Sequence, residues 1–535
     1  MKRVLPRSHA RKGACLAGLI LAGLLFAAPP PAAAQAPVTL TLDEAIQIAL
    51  VNNYTLRTTR LDVDNAGAQV REAWGQVMPQ VDVASSYTRN LKSANPFAGS
   101  QAGGLFSSFG FIDWLAYNES ARTDDDPSTN PITINEFFDR QKAGLDEAGI
   151  VTSDDSNPFA VPNQFSTGLS IEQTLFSGSA FAAIRGAERL KNINARTADR
   201  QEQVLIDQVR QAYYTALLAG QQAGVVAQSV ARTDRTLQDV SKRVTQGTAP
   251  KFERLSAEVE LVNLEAQLVQ SQNQAALSLD NLKLTLGIPV DQPVRLRDEL
   301  DVHDTAAFLT IAEEDAVDIA LQRRPDVEQA RLAIELRRID RDITRSQYLP
   351  TVSAFANFNY TGNVPDNRTF TVSDPNDPFR FTSETNGFFS SSYWNPSVNA
   401  GLRLTWNLFN GFQTSAQVQQ RQIAVQKAEV AYDLQVQTIH LEVQRALRDL
   451  ETARRRIMST QQNVDRAELN YEYATARLNE GVASPLEERN ASEQLDQSRL
   501  NYLQAVHDYL VARSAFQTAI GMPLAQPSQL QLTSN

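Results

Sequence analysis

Hydrophobic and polar positions alternate with a period of two in four short stretches of this chain, and recur at helical spacing through most of the remainder. The alternating stretches are "VDVASSYTRN" (81–90), "FSTGLSIEQTLF" (165–176), "TVSAFANFNY" (351–360) and "VNAGLRLTWNLF" (398–409). Each predicts a strand with one apolar and one polar face. In the last, Val398, Ala400, Leu402, Leu404, Trp406 and Leu408 share one face, and Asn399, Gly401, Arg403, Thr405 and Asn407 the other. Runs of about 10 residues are long enough for a tilted strand to cross a bilayer.

Residues 177–246 and 410–480 are rich in Gln, Ala and Arg and contain no proline. Val436, Ile439, Val443, Leu447 and Leu450 show the 3,4 spacing of an apolar seam. At about 1.5 Å per residue, such a helix makes a rod of roughly 100 Å. The rods end at "VTQGTAPKFERLSAE" (244–258) and "LNEGVASPLEERNAS" (478–492). Gly247 and Gly481 supply the positive φ that terminates a helix, while Pro250 and Pro485 suit the start of the next. Two antiparallel helical hairpins are therefore expected, over 177–286 with its tip near 247 and over 410–520 with its tip near 481.

The same plan occurs twice. "LDEAIQIALVNN" (42–53) aligns with "EEDAVDIALQRR" (313–324), and "MPQVDVASSY" (78–87) with "LPTVSAFANF" (349–358), both at an offset of 271. The glycine turns, and "LGIP" (286–289) with "IGMP" (520–523), lie 234 apart. The offset changes between about 90 and 165, where the first copy has some 38 extra residues, as a loop allows. Capping boxes are expected at Thr41 with Glu44 and at Thr310 with Glu313. In each copy a second helix then runs to Pro79 or Pro350. Residues 35–300 and 301–525 form the two repeats, 526–535 a tail, and the polar connectors 91–164 and 361–396 exposed loops.

The N-terminus carries Lys2, Arg3, Arg7, Arg11 and Lys12, the apolar run "CLAGLILAGLLFAA", and a small-residue cleavage site in "AAAQA" after Ala34. Residues 1–34 read as a secretory signal peptide. Cys15 lies at the start of the apolar run rather than after it, which argues against lipidation, and its removal leaves a chain without thiols, suited to an oxidising compartment. The mature chain has 45 basic against 61 acidic residues, a net charge near −16 that disfavours nucleic acid as a partner. No later apolar run approaches the ~20 residues of a spanning helix.

Four strands cannot stand open in lipid, because each unpaired backbone group there costs several kcal/mol. Copies from three chains would close a barrel of 12 strands, an even number within the known range. The rods must then continue on the periplasmic side, and a hollow conduit satisfies both constraints.

The duplicated strand–long helix–glycine turn–helix order, the "LFSG" and "LFNG" turns, the "QGTAP" and "EGVASP" tips and the closing "LGIP" and "IGMP" resemble the TolC family of outer-membrane efflux proteins over about residues 38–525. The resemblance implies a mixed α and β membrane protein: a trimeric 12-stranded β-barrel, four strands per chain, continued by a long α-helical coiled-coil barrel and built from two internal repeats. It implies a homotrimer in outer-membrane lipid that docks its tips on a periplasmic adaptor (membrane fusion) protein coupled to an inner-membrane pump, exporting small toxic compounds or secreted polypeptides. The docking residues would be Gln246, Gly247, Thr248, Ala249 and Pro250 in one tip, and Glu480, Gly481, Val482, Ala483, Ser484 and Pro485 in the other. The family narrows its periplasmic end with acidic residues six and nine positions after the second tip glycine. Here these positions hold Glu487 and Asn490, and the adjacent Glu488 points about 100° away. One ring of three Glu487 carboxylates with a polar ring below it is implied. As a purely local residue, Glu487 would be a favourable anion in the first turn of a helix.

The histidines, His9, His303, His440 and His507, have no ligand-like spacing, and no metal or cofactor is expected. The "DDD" run at 124–126 lacks the spaced ligands and glycine of a calcium loop. No phosphate loop, nucleophile elbow or zincin motif is present, so no enzymatic activity is expected. Two rivals to a channel-tunnel are a periplasmic or surface coiled-coil protein without a barrel, and a passive porin, which would not need about 100 Å of helix.

Overall fold

A computed structural model describes residues 38–92, 103–126, 129–150, 161–300, 311–375 and 377–522. The expected leader and tail, Thr310, His9 and His303 lie outside these residues. In chain order the elements are β1 (Val38–Leu40), α1 (Leu42–Asn52), α2 (Tyr54–Gly75), β2 (Gln80–Arg89), α3 (Gly103–Thr123), α4 (Ile134–Glu147) and β3 (Asn163–Phe176). Then come α5 (Gly178–Thr245), α6 (Lys251–Leu286), β4 (Val294–Leu296), α7 (Glu313–Arg323), α8 (Pro325–Arg345) and a 3-10 turn (Ser346–Tyr348). The chain continues through β5 (Thr351–Val364), β6 (Thr369–Asp374), β7 (Asp377–Thr385), β8 (Trp394–Thr405), α9 (Gln413–Asn479) and α10 (Pro485–Ala519).

Two compact units are assembled from discontinuous segments. The first takes the chain up to Tyr54, Leu205–Phe308 and Asp449–Ser514. In it β1 pairs in parallel with β4, and α1 opens with the expected capping box: the Glu44 amide donates to Thr41 Oγ1 (3.4 Å) and the Thr41 amide to Glu44 Oε2 (2.9 Å). Asp298 accepts from the Leu42 amide at 2.9 Å, a second donor satisfied at the same helix start. The buried Tyr213 hydroxyl lies 2.8 Å from Asp298 Oδ2 and 2.9 Å from the Leu40 carbonyl, so one phenol on α5 fastens the β1–β4 pair. Burial, and then the Asp298 carboxylate, push its pKa up and keep it a donor.

The second unit takes Thr55–Val204, Leu309–Arg448 and the chain from Ala515. Its main feature is a four-stranded antiparallel sheet in the order β2-β3-β5-β8. All four expected strands are present, with β5 running four residues further than 360 and β8 shifted back to 394–405. Beyond Thr405 the alternation persists in Trp406 and Leu408, but the chain there leaves the ladder for the turn into α9.

Three expectations are corrected here. The 91–164 connector contains α3 and α4, and the 361–396 connector contains the β6–β7 hairpin. Their glycines and acids read as loop, yet their aromatics form a small core in which Tyr117, Phe137 and Phe379 meet with centroids 5.2–5.7 Å apart. Phe137 is 1% exposed, and Asn118 is buried with its side chain donating to and accepting from the Ile132 backbone. The second capping box does not form, because α7 starts at Glu313 with Ala312 as its cap. Glu313 instead accepts from Gln444, and three acids in the first turn complement the helix dipole. Finally, α2 ends at Gly75 and α8 at Arg345, several residues before Pro79 and Pro350. A residue preceding proline is pushed out of the helical region, so the helix stops earlier.

The long helices take the expected bounds almost unchanged. On α9, Ile439, Val443 and Leu450 are buried, with Val436 and Leu447 half-buried beside them. Arg324, its side chain 2% exposed, holds Asp326 with two guanidinium hydrogen bonds and reaches Glu442 (2.6 Å) and the Ala519 carbonyl (3.3 Å). It thereby secures the end of α10 within this unit.

Gly287, at φ +72, ends α6 with both backbone bonds of a Schellman turn, Gly287 N to Leu284 O and Ile288 N to Lys283 O. An added Cβ there would meet the Asn52 carbonyl, whereas at Gly481 it would meet nothing. Gly481→Ala is therefore expected to lose only the left-handed backbone term, about 1 kcal/mol. Gly287→Ala should lose clearly more. Equal shifts in thermal unfolding of the two detergent-solubilised variants would contradict this.

Candidate functional site

The sheet separates its side chains into a largely apolar and a largely polar face. Directly paired residues share a face, so the register places Val81, Val83, Tyr87, Phe165, Leu169, Ile171, Ala354, Ala356, Phe358, Val398 and Leu402 together on one side. That apolar face is exposed along β8, where Val398 and Leu402 are 74% and 71% accessible. Aromatic clusters bracket it. At one end Tyr87, Phe165, Tyr360 and Trp394 stack at 4.8–5.6 Å, and at the other Trp406 donates to the Tyr348 carbonyl at 3.0 Å near Phe409 and Phe412. An apolar band between two aromatic girdles is the surface of a strand assembly in lipid. Among the described residues no helix is long and apolar enough to cross a membrane.

The opposite face is polar. One row across it holds Asp82, Ser170, Asn357 and Asn399, with Asn357 Nδ2 donating to Asn399 Oδ1 at 3.0 Å. Arg403 lies over the Phe355 ring (5.1 Å) and within 3.8 Å of Glu172. Among the described residues the outer strands β2 and β8 have no neighbour on their free sides.

The two helical tips lie in the first unit and share their backbone. Gly247 (φ +74) and Gly481 (φ +73) each close a Schellman turn, through Thr248 N to Arg243 O and Val482 N to Arg477 O. Gln246, Thr248, Pro250, Glu480, Val482 and Ser484 are exposed, while Ala249, Ala483 and Pro485 are half-buried. The following helices start differently: Pro250 caps α6 with no side-chain bond, whereas Ser484 accepts from the Glu487 amide at 3.2 Å and Pro485 takes the first helical position. Sequence reasoning missed Phe252 and Leu486, each five residues beyond its tip glycine and 76% and 55% exposed. Their equal offset from the two glycines was the available signal.

Glu487 is exposed on the first turn of α10 and lies 3.6 Å from Arg477 in the last turn of α9. This partner was also missed, since the hairpin turn is what brings positions ten apart together. Asn490 is exposed one turn further on. Glu488 turns inward, half-buried beside Tyr471, whose hydroxyl donates to it. Behind these residues Asp496 on α10 accepts from Ser229 (2.6 Å) and pairs with Arg232 on α5, and Arg489 reaches Glu260 on α6 at 3.2 Å. The acidic run at 124–126 is turn chemistry, with Asp124 accepting from the Asp126 amide and the Thr129 hydroxyl. His507 lies between Asp508 and Thr215.

Burial raises the pKa of Glu488, against the opposing pull of the Tyr471 hydrogen bond. A carboxylate raised on folding destabilises the folded state when ionised, and the penalty disappears once pH falls below its unfolded value, about 4. Glu488→Gln is therefore expected to raise thermal stability at pH 7 to 8, with the gain over the parent vanishing toward pH 4. A gain that grows on acidification would reverse the assignment.

Residues 137–288 and 316–522 match the family model described as outer membrane efflux protein. The alkaline protease secretion protein AprF of Pseudomonas aeruginosa is 21% identical over 379 residues, 70% of this chain and 73% of that protein. The outer membrane protein TolC of Vibrio cholerae is 22% identical over 364 residues, 66% of this chain and 76% of that protein. Among solved structures, the Campylobacter jejuni CmeC outer membrane channel superposes with a TM-score of 0.65 at 15% identity, over 90% of this chain and 85% of that one.

Proposed function

This chain belongs to the TolC family of outer membrane efflux proteins, and on that premise we propose that it works as a homotrimeric channel-tunnel in a tripartite export system. As a family member it is located in the outer membrane and serves efflux or secretion. The observation that carries the finer reading is the sheet: four strands, one face apolar between aromatic girdles, and both outer strands unpaired. Three copies joined β2 to β8 satisfy those edges and close 12 strands around the polar face. The two halves, 35–300 and 301–525, are copies of one unit, and α5 and α9, each roughly 100 Å long, carry the conduit into the periplasm.

In this reading the tips dock on a periplasmic adaptor protein that couples the channel to an inner-membrane pump. The exposed Phe252, Val482 and Leu486 support it, since apolar side chains at both tips are suited to a protein contact. The cargo is either small toxic compounds or secreted polypeptides. No catalytic step, cofactor or nucleic acid enters the mechanism.

The detergent-solubilised protein is expected at three times the mature mass, and a stable monomer that keeps its strand content would overturn the architecture. At the tips, Gly247→Val or Gly481→Val forces a bulky residue into the left-handed region. Export by intact cells should then fall although trimers assemble, and unimpaired export would reduce the tips to plain turns.

The narrow end of the conduit is formed by the second hairpin, with Glu487 as an acidic ring, Asn490 as a polar ring below it, and Glu488 behind as support. Three carboxylates around an axis attract cations, and the Arg477 partners partly offset them. In reconstituted channels Glu487→Gln should weaken cation preference and Arg477→Gln should strengthen it. Unchanged selectivity in both variants would remove Glu487 from the pore.

A further inference from the structure

Between the end of α8 and the start of α9 lies a groove of about 440 Å³ lined by Arg341, Arg345, Ser415, Val418, Gln419 and Gln422. Its donors are two guanidiniums, two amides and a hydroxyl, a set matched to phosphate oxygens. Arg341 is partly committed, donating to Gln422 Oε1 (3.1 Å) and to Asp342 Oδ1 (2.9 Å). Arg345 has no carboxylate partner among the described residues and remains the uncompensated charge of the groove.

The position of the groove names its occupant. Arg345 is followed by a single 3-10 turn and then by β5 at Thr351, so the groove adjoins the foot of the sheet. On the other side, Phe412 stands one turn ahead of Ser415, whose hydroxyl donates to the Phe412 carbonyl at 2.7 Å. Phe412 is 75% exposed at φ +64, a conformation rarely held by a bulky residue, and it meets the 71% exposed Phe409 edge to face at 5.4 Å. With Trp406 and Tyr348 these rings mark the depth of the membrane–water boundary, where aromatic side chains sit beside headgroups.

We propose that the Arg341–Arg345 groove binds the phosphate headgroup of an anionic phospholipid in the periplasmic leaflet of the outer membrane, with Phe409 and Phe412 lying against the first carbons of its chains. Arginines at the membrane boundary select anionic over zwitterionic lipid by charge, and the amide and hydroxyl donors orient the phosphate. This site needs only the outer-membrane location of the sheet. Trimer closure and export do not enter it, so its failure and theirs are read separately.

The test is native mass spectrometry of the detergent-solubilised full-length protein with phosphatidylglycerol, phosphatidylethanolamine or inorganic phosphate. The parent is expected to retain phosphatidylglycerol over phosphatidylethanolamine, and Arg345→Gln to weaken that retention about fivefold. Arg345 is exposed and has no ion-pair partner among the described residues, so its replacement leaves the fold intact. Arg337→Gln on the same helix, where Arg337 pairs with Asp340 at 3.2 Å, should leave retention unchanged. Equal retention by the parent and Arg345→Gln overturns the site. Inorganic phosphate bound as well as phosphatidylglycerol overturns the lipid assignment in favour of a soluble anion.

Discussion

The unpaired backbone along β2 and β8 is the constraint on which the other features turn. A sheet whose one face is apolar from Val81 to Leu402 belongs in lipid, and in lipid an open edge leaves donors and acceptors that no water can satisfy. Among the described residues this sheet has four strands, too few to bend into a closed ring, so the proposed oligomer follows from hydrogen bonding before any contact between helices is considered. The polar face then has to line water, and its contents agree: an asparagine pair, Asp82, and an arginine held between a phenylalanine ring and a glutamate.

The helices are subject to a different requirement. Neither α5 nor α9 is apolar enough to cross a membrane, and their stability comes from buried seams such as Ile439–Val443–Leu450 and from ion pairs to α10. The left-handed glycines let each rod reverse within five residues, and the Schellman bonds satisfy the carbonyls that the reversal would leave free. At the other end of each hairpin, Gly287 and Gly521 repeat the device where the chain returns to α1 and to Arg324. Backbone close approach, rather than side-chain chemistry, accounts for glycine at these two positions.

Strands, rods and tips were legible because each rests on a local signal: a period of two, a long proline-free 3,4 pattern, or a glycine followed by proline. What escaped reading depends on residues far apart in sequence. The helices α3 and α4 are stabilised by Phe379, more than 230 positions away, and without that partner their sequence reads as loop. The start of α7 was misplaced because a threonine followed three residues later by glutamate looks like a cap wherever it occurs, and here Gln444 took the glutamate instead. Around the candidate site, the turn glycines and the place of Glu487 in the first turn of α10 were readable by position. Arg477 was not, because only the closed hairpin turns a ten-residue separation into an ion pair.

The two tips are alike in backbone and unlike in chemistry, which bears on how a partner would read them. The first presents Thr248, whose hydroxyl also caps the Arg243 carbonyl, then Pro250 and the exposed Phe252. The second presents Val482 and Leu486 around a serine cap that holds the first turn of α10. In the proposed trimer each copy would contribute one tip of each kind. A partner that reads both would do so through what they share: a tight glycine turn of fixed geometry with one exposed apolar residue five positions beyond it.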